Sequence, residues 1–461
     1  MSVWKRWKPR RARELTPNAF RTSVRMVALY DSAWVAAEVD RCAALWRACG
    51  AHPEDLTAEY SLRDHESREL AYDISLREVE GEAKRATRNA SDRRAAEQRM
   101  IASFARFAQN ALDLDGLQIG LLTDDFIPVG IEFARRARAF DPDLSREDTI
   151  QACRNAWTAC GLQPLLGAPC EVTPAILGYS LLYPYTDNYL DSAAVPASAK
   201  LTFSARFRNR LRGQVAPIVN ERERAVWALV EMIEAQFPRA NFPAVFACLL
   251  AIHQAQEDSL AQGNDQAPLD DAKLMRLSLA KGGTSVLADA CLVRGEMTPD
   301  EARVAFEWGA LLQLGDDLQD LREDRSHGSV TVFTRALDQG ESLDALVHQL
   351  LAFCRCASAH MDALPGGPQA LKDLLRSSWR SLVIAAIAEA HEFFSPAFLQ
   401  QAERCSPFRF DFLRRRRRRL AARQGTFTVL FDRFVEEEAI ATPPAVLRQR
   451  GVQSPSFEAA P

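Results

Sequence analysis

Along most of the chain, apolar residues recur three and four positions apart rather than alternating, so the segments between prolines and glycines predict amphipathic helices and an all-α fold. No fixed-period repeat underlies the pattern. Residues 31–116 are heavily charged, with Leu70, Ile74 and Leu76 as sparse apolar points, which predicts helices with wide solvated faces. From 117 to 395 the chain turns Ala- and Leu-rich, and its helices are expected to break at Pro128, Pro142, Pro164, Pro174, Pro217, Pro238, Pro268 and Pro299. This stretch reads as the catalytic bundle. The flanks differ from it: residues 1–30 are basic, and residues 396–441 are basic around the run Arg414 to Arg419, with a strand-like stretch from Thr426 to Phe431. The tail 442–461 has the Pro, Ser and Ala composition of disorder.

Two helix starts follow from local chemistry. Thr173-Pro174 places a capping hydroxyl before a residue whose fixed φ suits the first turn, and the helix should run through Leu181 toward Asp191. Thr298-Pro299-Asp300-Glu301 repeats this, with acidic residues where the helix dipole favours them, and its helix should run through Trp308 toward Asp320. Both end in carboxylates. Asp124-Asp125, before Pro128, reads as a further helix start, and Gly282-Gly283 as a break.

The 461 residues, 47% of them hydrophobic, can bury a sizeable core, and Gly 21 with Pro 23 excludes collagen-like and low-complexity classes. A net charge of −4 argues against wholesale nucleic-acid binding. Ten cysteines without paired CxxC knuckles fit a reducing cytoplasm. The segment Trp4 to Arg11 lacks the apolar stretch of a secretory signal, and the longest apolar run, Phe242 to Ile252, falls short of the roughly 20 residues a membrane span needs. A cytoplasmic protein is expected. Phosphate-loop, dinucleotide, nucleophile-elbow and HExxH patterns are missing.

The chemistry concentrates in two acidic clusters. In Tyr185-Thr186-Asp187-Asn188-Tyr189-Leu190-Asp191, the two aspartates lie four apart, one turn along the same helix face. In Gln313-Leu314-Gly315-Asp316-Asp317-Leu318-Gln319-Asp320-Leu321-Arg322-Glu323-Asp324-Arg325, Asp316, Asp320 and Asp324 form an i, i+4, i+8 ladder. Like charges four apart oppose the helix by about 0.2–0.5 kcal/mol per pair, so something positive should offset them. Arg322 and Arg325 could do so as surface ion pairs. Mg²⁺, held by one or two carboxylates together with substrate phosphates, is the sharper alternative.

With Leu249-Leu250-Ala251-Ile252-His253-Gln254-Ala255-Gln256 and Leu277-Ser278-Leu279-Ala280-Lys281-Gly282-Gly283-Thr284 preceding it in that order, the second cluster resembles the second half of trans-polyprenyl diphosphate synthases. The resemblance covers about residues 120–395. It implies the class I isoprenoid synthase fold, a helical bundle around a central apolar cavity, in which two Asp-rich motifs hold a Mg²⁺ cluster, three ions with the substrate diphosphate. On that basis Asp187, Asp191, Asp316, Asp317, Asp320 and Asp324 are the implied metal ligands, with Asp187, Asp191, Asp316 and Asp320 catalytic. Lys281, Arg325 and Gln313 are the implied diphosphate-binding residues, with Arg276 as a further donor. The elongating enzymes follow their first motif with an arginine pair, whereas Asp191 here precedes Ser-Ala-Ala-Val-Pro-Ala-Ser-Ala-Lys. The YxDNYLD pattern with Lys281 to Ala290 looks more like the bacterial large terpene synthases.

A synthase that ionises one polyprenyl diphosphate and cyclises or quenches the cation is therefore the expected activity. The cation needs a closed apolar pocket, and Tyr183, Tyr185, Tyr189, Phe203, Phe246, Phe306 and Trp308 are available as walls. An elongating prenyltransferase and a squalene- or phytoene-type condensing enzyme are the enzymatic alternatives. The basic ends, with Trp4 and Trp7 at one and Phe408-Arg409-Phe410 before the arginine run at the other, have the composition of segments that lie on anionic membranes. A peripheral contact on the inner membrane face is thus a further expectation, and a peripheral helical protein without catalysis the non-enzymatic alternative. A homodimer is compatible with the family.

Overall fold

Side-chain caps start the helices where the sequence places them. In the computed structural model, the Thr173 hydroxyl accepts from the Ile176 amide, and Thr298 with Glu301 closes a reciprocal capping box. The structure describes residues 30–50, 56, 60–86, 93–192, 194–259 and 270–422, and every regular element among them is helical. The basic N-terminal segment, Thr426 to Phe431 and the 442–461 tail lie outside the described residues.

The chain runs through α1 (Ser32–Ala48), α2 (Leu62–Ala86), α3 (Arg93–Leu112) and the short α4 (Gly116–Gly120). A π-helical turn, Leu121–Phe126, joins α4 to α5 (Ile127–Phe140), so Asp124 and Asp125 sit inside a continuous helical run rather than at a start. Pro128 does not end that run; it falls directly after the π-helical turn, in the first turn of α5. There follow α6 (Arg146–Leu165), α7 (Pro174–Asp191), α8 (Ala197–Leu211), α9 (Glu221–Gln236) and α10 (Pro243–Ser259). Pro164 lies within the last turn of α6 instead of ending it. The site-bearing pair comes next, α11 (Asp271–Arg294) and α12 (Pro299–Gln319), then α13 (Leu321–His327) and α14 (Val332–Asp338). The chain closes with α15 (Leu343–Asp362), α16 (Gln369–Glu389), α17 (Pro396–Arg404) and α18 (Phe410–Ala422).

One apolar core joins α1 to the helices from α5 onward, with Phe133, Ile176, Leu229, Leu249, Phe306 and Phe353 almost completely buried. The charged N-terminal region therefore divides. Helix α1 packs on α11, α12 and α15, where the Trp34 ring meets Phe306 edge-on at 5.9 Å. Helices α2 and α3 form a hairpin that takes the C-terminal helix as its third member, through Tyr72 against Phe107, Phe408 and Phe412 at 5.4–5.7 Å.

Helices α11 and α12 touch backbone to backbone. A Cβ on Gly282 would lie 2.2 Å from the Gly309 carbonyl oxygen, and one on Gly309 would lie 2.1 Å from that of Gly282. A Cβ on Gly283 would meet the Phe306 ring at 2.5 Å. The Gly282-Gly283 pair is thus a crossing point in the middle of α11 and not a break, since burial at the crossing outweighs the low helix propensity of glycine. Gly309→Ala is expected to lower stability by at least the roughly 1–3 kcal/mol typical of overpacking. Gly81→Ala, in open space within α2, should raise it by about 0.5–1 kcal/mol. Urea unfolding of the three proteins gives the comparison.

Candidate functional site

The acidic ladder crosses the junction between α12 and α13. Asp320 leaves helical geometry (φ −91°, ψ 8°), yet its amide still bonds the Asp316 carbonyl at 2.8 Å and its carbonyl accepts from the Asp324 amide at 2.8 Å. The hydrogen-bond register continues and the carboxylates stay in sequence along one edge. Asp317 is buried beside them, accepting from the Ser278 hydroxyl at 2.9 Å and the Gln313 amide at 2.8 Å. Ser278 belongs to α11, one turn before the glycine crossing.

These carboxylates crowd one another. Burial pushes Asp316 up to about 6, against the pull of Arg154, and Asp320 and Asp317 push the same way. Burial likewise raises Asp324 to about 7, aided by Asp317 and Asp320. Asp317 rises through burial despite its two hydrogen bonds, and Asp320 through burial and Glu323. The Asp316 side chain nonetheless keeps 50% of its surface, as on the rim of a concave site. Lys281, in α11, acts on all four carboxylates as an opposing positive charge.

The structure brings Asp316, Asp317, Asp320 and Asp324 together with Lys281 and Gln313, and it distributes the other expected residues differently. Gln313 is engaged in orienting Asp317. Arg325 turns its guanidinium over the Phe393 ring, 5.7 Å from the centroid, and Arg276 pairs with Asp40 of α1. Asp187 is buried on α7, accepting from the Thr186 hydroxyl at 3.0 Å. It lines an apolar cavity with Tyr183, Phe207, Leu249, His253 and Gln256. Burial lowers His253 to about 4, so this imidazole is neutral, and it bonds the Ser204 carbonyl at 3.1 Å. Asp191 is the last residue of α7, and its side chain lies outside the described residues. Helix α11 packs against both α7 and α12, the helices that carry the two acidic groups.

That cavity measures about 50 Å³, well below the roughly 300–1,000 Å³ of a ligand pocket. A polyprenyl chain does not fit it in this conformation, because the side chains that line it close upon one another. Of the expected aromatic walls, Tyr183 lines it, while Phe306 and Trp308 are buried in the core. Phe203, stacked on Phe207, also lines a second, open cleft of about 580 Å³, where Arg222 covers the Tyr189 ring at 3.9 Å.

Two arginines join the ladder from segments that the sequence pattern did not connect to it. Arg154 of α6 lies 3.3 Å from Asp316, across 162 residues of chain. Arg417 of α18 bears on Asp320 and pairs with Glu389 at 3.4 Å. Arg154 sits in no motif and Arg417 belongs to the arginine run, which the sequence did not connect to the ladder; the packing of α6 and α18 places them. Three more arginines of the run are also tied down: Arg414 to Asp411 and the Ala388 carbonyl, Arg416 to Asp73, and Arg419 to Glu80 at 3.6 Å. Four of the six arginines therefore serve contacts within the chain, and Arg415 and Arg418 face solvent.

Among the described residues, no three or more His, Cys, Asp and Glu side chains are placed so that they could together hold a metal ion. The side chains gathered along this edge are carboxylates, oxygen donors of the kind a hard divalent cation takes. Mg²⁺ commonly completes such partial sites with substrate phosphates.

The raised carboxyls give the fold a defined pH response. Between about pH 4 and pH 7 the folded chain retains protons on Asp316 and Asp324 that the unfolded chain has released, so stability is lost as pH rises through this window. In metal-free buffer Asp324→Asn should melt higher than the parent at pH 7.5 and equal to it near pH 4, measured by circular dichroism. In comparisons of the whole chain, no family model, curated protein or solved structure matches it.

Proposed function

We propose that the protein is a Mg²⁺-dependent class I terpene synthase that ionises a polyprenyl diphosphate and lets the carbocation cyclise or be quenched. The observation that carries this reading is the convergence of Asp316, Asp317, Asp320 and Asp324 with Lys281 and Arg154 from two other helices. Asp316, Asp320 and Asp324 would hold the metal, and buried Asp317, bonded to Ser278 and Gln313, fixes the helix edge that presents them. The chemistry supplied by Mg²⁺ when bound is charge compensation for the departing diphosphate.

Lys281 and Arg154 donate to the diphosphate oxygens from opposite walls, a bond type strengthened by charge on both partners. Their attraction to the ladder in the absence of ligand keeps them in position for it. Asp187 would contribute from the cavity side, where Tyr183 offers a π face to a cation and Leu190, Leu249 and Ile252 exclude water. The reading requires the cavity between α7, α8 and α10 to widen when the prenyl chain enters. Among the described residues no helix is long and apolar enough to cross a membrane, which fits a substrate taken up without a membrane-spanning helix of the enzyme's own.

Incubation with Mg²⁺ and polyprenyl diphosphates of several lengths should release pyrophosphate and a hydrocarbon or terpene alcohol. Asp320→Ala should abolish the release, and Lys281→Ala should reduce kcat/KM by about 10²-fold or more. A longer diphosphate formed only when isopentenyl diphosphate is supplied would replace this reading with chain elongation, and consumption of two identical diphosphates would replace it with head-to-head condensation. Vesicle binding without any Mg²⁺-dependent turnover would leave the peripheral helical protein.

A further inference from the structure

Six of the ten cysteines approach one another in pairs: Cys49 with Cys356, Cys160 with Cys170, and Cys248 with Cys291. The pairs differ in exposure. Cys248 and Cys291 are both fully buried, out of reach of any reagent. Cys160 and Cys170 lie close in sequence and link α6 only to the loop that follows it. Cys49 and Cys356 bring together segments 307 residues apart, with their sulfurs 3.7 Å apart in van der Waals contact.

Their setting is built for a cross-link. Cys49 caps the C-terminus of α1, where the helix ends and the backbone turns extended (φ −70°, ψ 101°), and Cys356 lies in the middle of α15. The same two helices are already joined on either side of the sulfurs. The Gln349 amide donates to the Trp46 carbonyl at 2.7 Å, the Trp46 ring meets Phe353 at 5.9 Å, and Arg41 of α1 pairs with buried Glu307, which also receives His360 at 2.7 Å. The two sulfurs are therefore held in contact by neighbours that do not themselves involve sulfur.

Here we infer that Cys356 and Cys49 form a redox-active dithiol, in which Cys356 takes up an oxidant of the small-disulfide class and Cys49 resolves it into a disulfide that staples α1 to α15. In the first exchange the Cys356 thiolate attacks one sulfur of the small disulfide, and one thiolate leaves. In the second, Cys49 loses its proton to solvent and attacks the Cys356 sulfur, and the second thiolate leaves. Two protein thiols are oxidised and one small disulfide is reduced to two thiols, so electrons and protons balance. The order follows from access: Cys356 is half-buried and Cys49 only 7% exposed. Burial and the bond to Cys356 also push the Cys49 thiol up to about 12, which makes it the slower nucleophile toward reagents in solution. Because α1 backs both α11 and α12, the staple would fix the wall behind the acidic ladder.

The full chain treated with glutathione disulfide tests this without any prenyl substrate. Peptide mapping under non-reducing conditions should show Cys49 joined to Cys356, with the protein lighter by two hydrogens and its thermal midpoint raised by several degrees over the reduced form. Cys49→Ser should stop at a glutathione adduct on Cys356, and Cys356→Ser should leave Cys49 unmodified, both without the rise in midpoint. Cross-linking first at Cys160 and Cys170 with this pair left reduced, or a Cys49→Ser protein that takes up no glutathione at Cys356, would overturn the assignment.

Discussion

The mutual approach of Gly282 and Gly309 is the constraint on which the rest of the site depends. Two helix backbones can come this close only where neither carries a Cβ, and the clash distances of 2.1–2.2 Å leave no room for one. The crossing sets the register of α11 against α12. Ser278 and Lys281 on one helix and Gln313, Asp316 and Asp317 on the other then fall at the same level. A shift of one residue would turn Ser278 away from Asp317 and Lys281 away from the ladder.

Holding four carboxylates at that level costs stability, and the cost is visible in their raised pKa values, above all the values of about 6 and 7 at Asp316 and Asp324. The surroundings offset it by rigid packing. Between α6, α7 and α11, Asn155 donates to both Ser180 and Asp289 at 3.2 Å, and burial holds Asp289 well above the ordinary carboxylate range. Strongly raised carboxyls gathered at one edge of a helical bundle mark that edge as the candidate functional site.

The charged segments flanking the main bundle are packed against one another. In the arginine run, Arg416, Arg419 and Arg417 reach Asp73, Glu80 and Glu389 and bind the C-terminal helix to α2 and α16. The N-terminal region divides between two packing units, α1 in the main core and α2 with α3 beside α18, and of its sparse apolar points Leu76 is buried while Leu70 and Ile74 stay exposed. An acidic face and a basic face that appear solvated when read separately become partners once the chain brings them together.

Read as a linear string, the protein declares its helical class, the starts of α7 and α12, and the acidic ladder, because caps, 3.6-residue periodicity and i, i+4 spacing are local and act within a turn or two. It also marks Lys281 as a partner of that ladder, through the resemblance its segment carries. What it leaves open is which distant groups meet: Arg154 and Arg417 at the carboxylates, Asp187 in a cavity with His253, Arg325 over Phe393, Cys49 against Cys356, and glycines read as a break that prove to be a crossing. Those pairings depend on which helix faces are buried against which, and burial is a property of the whole packed chain that no window of sequence contains.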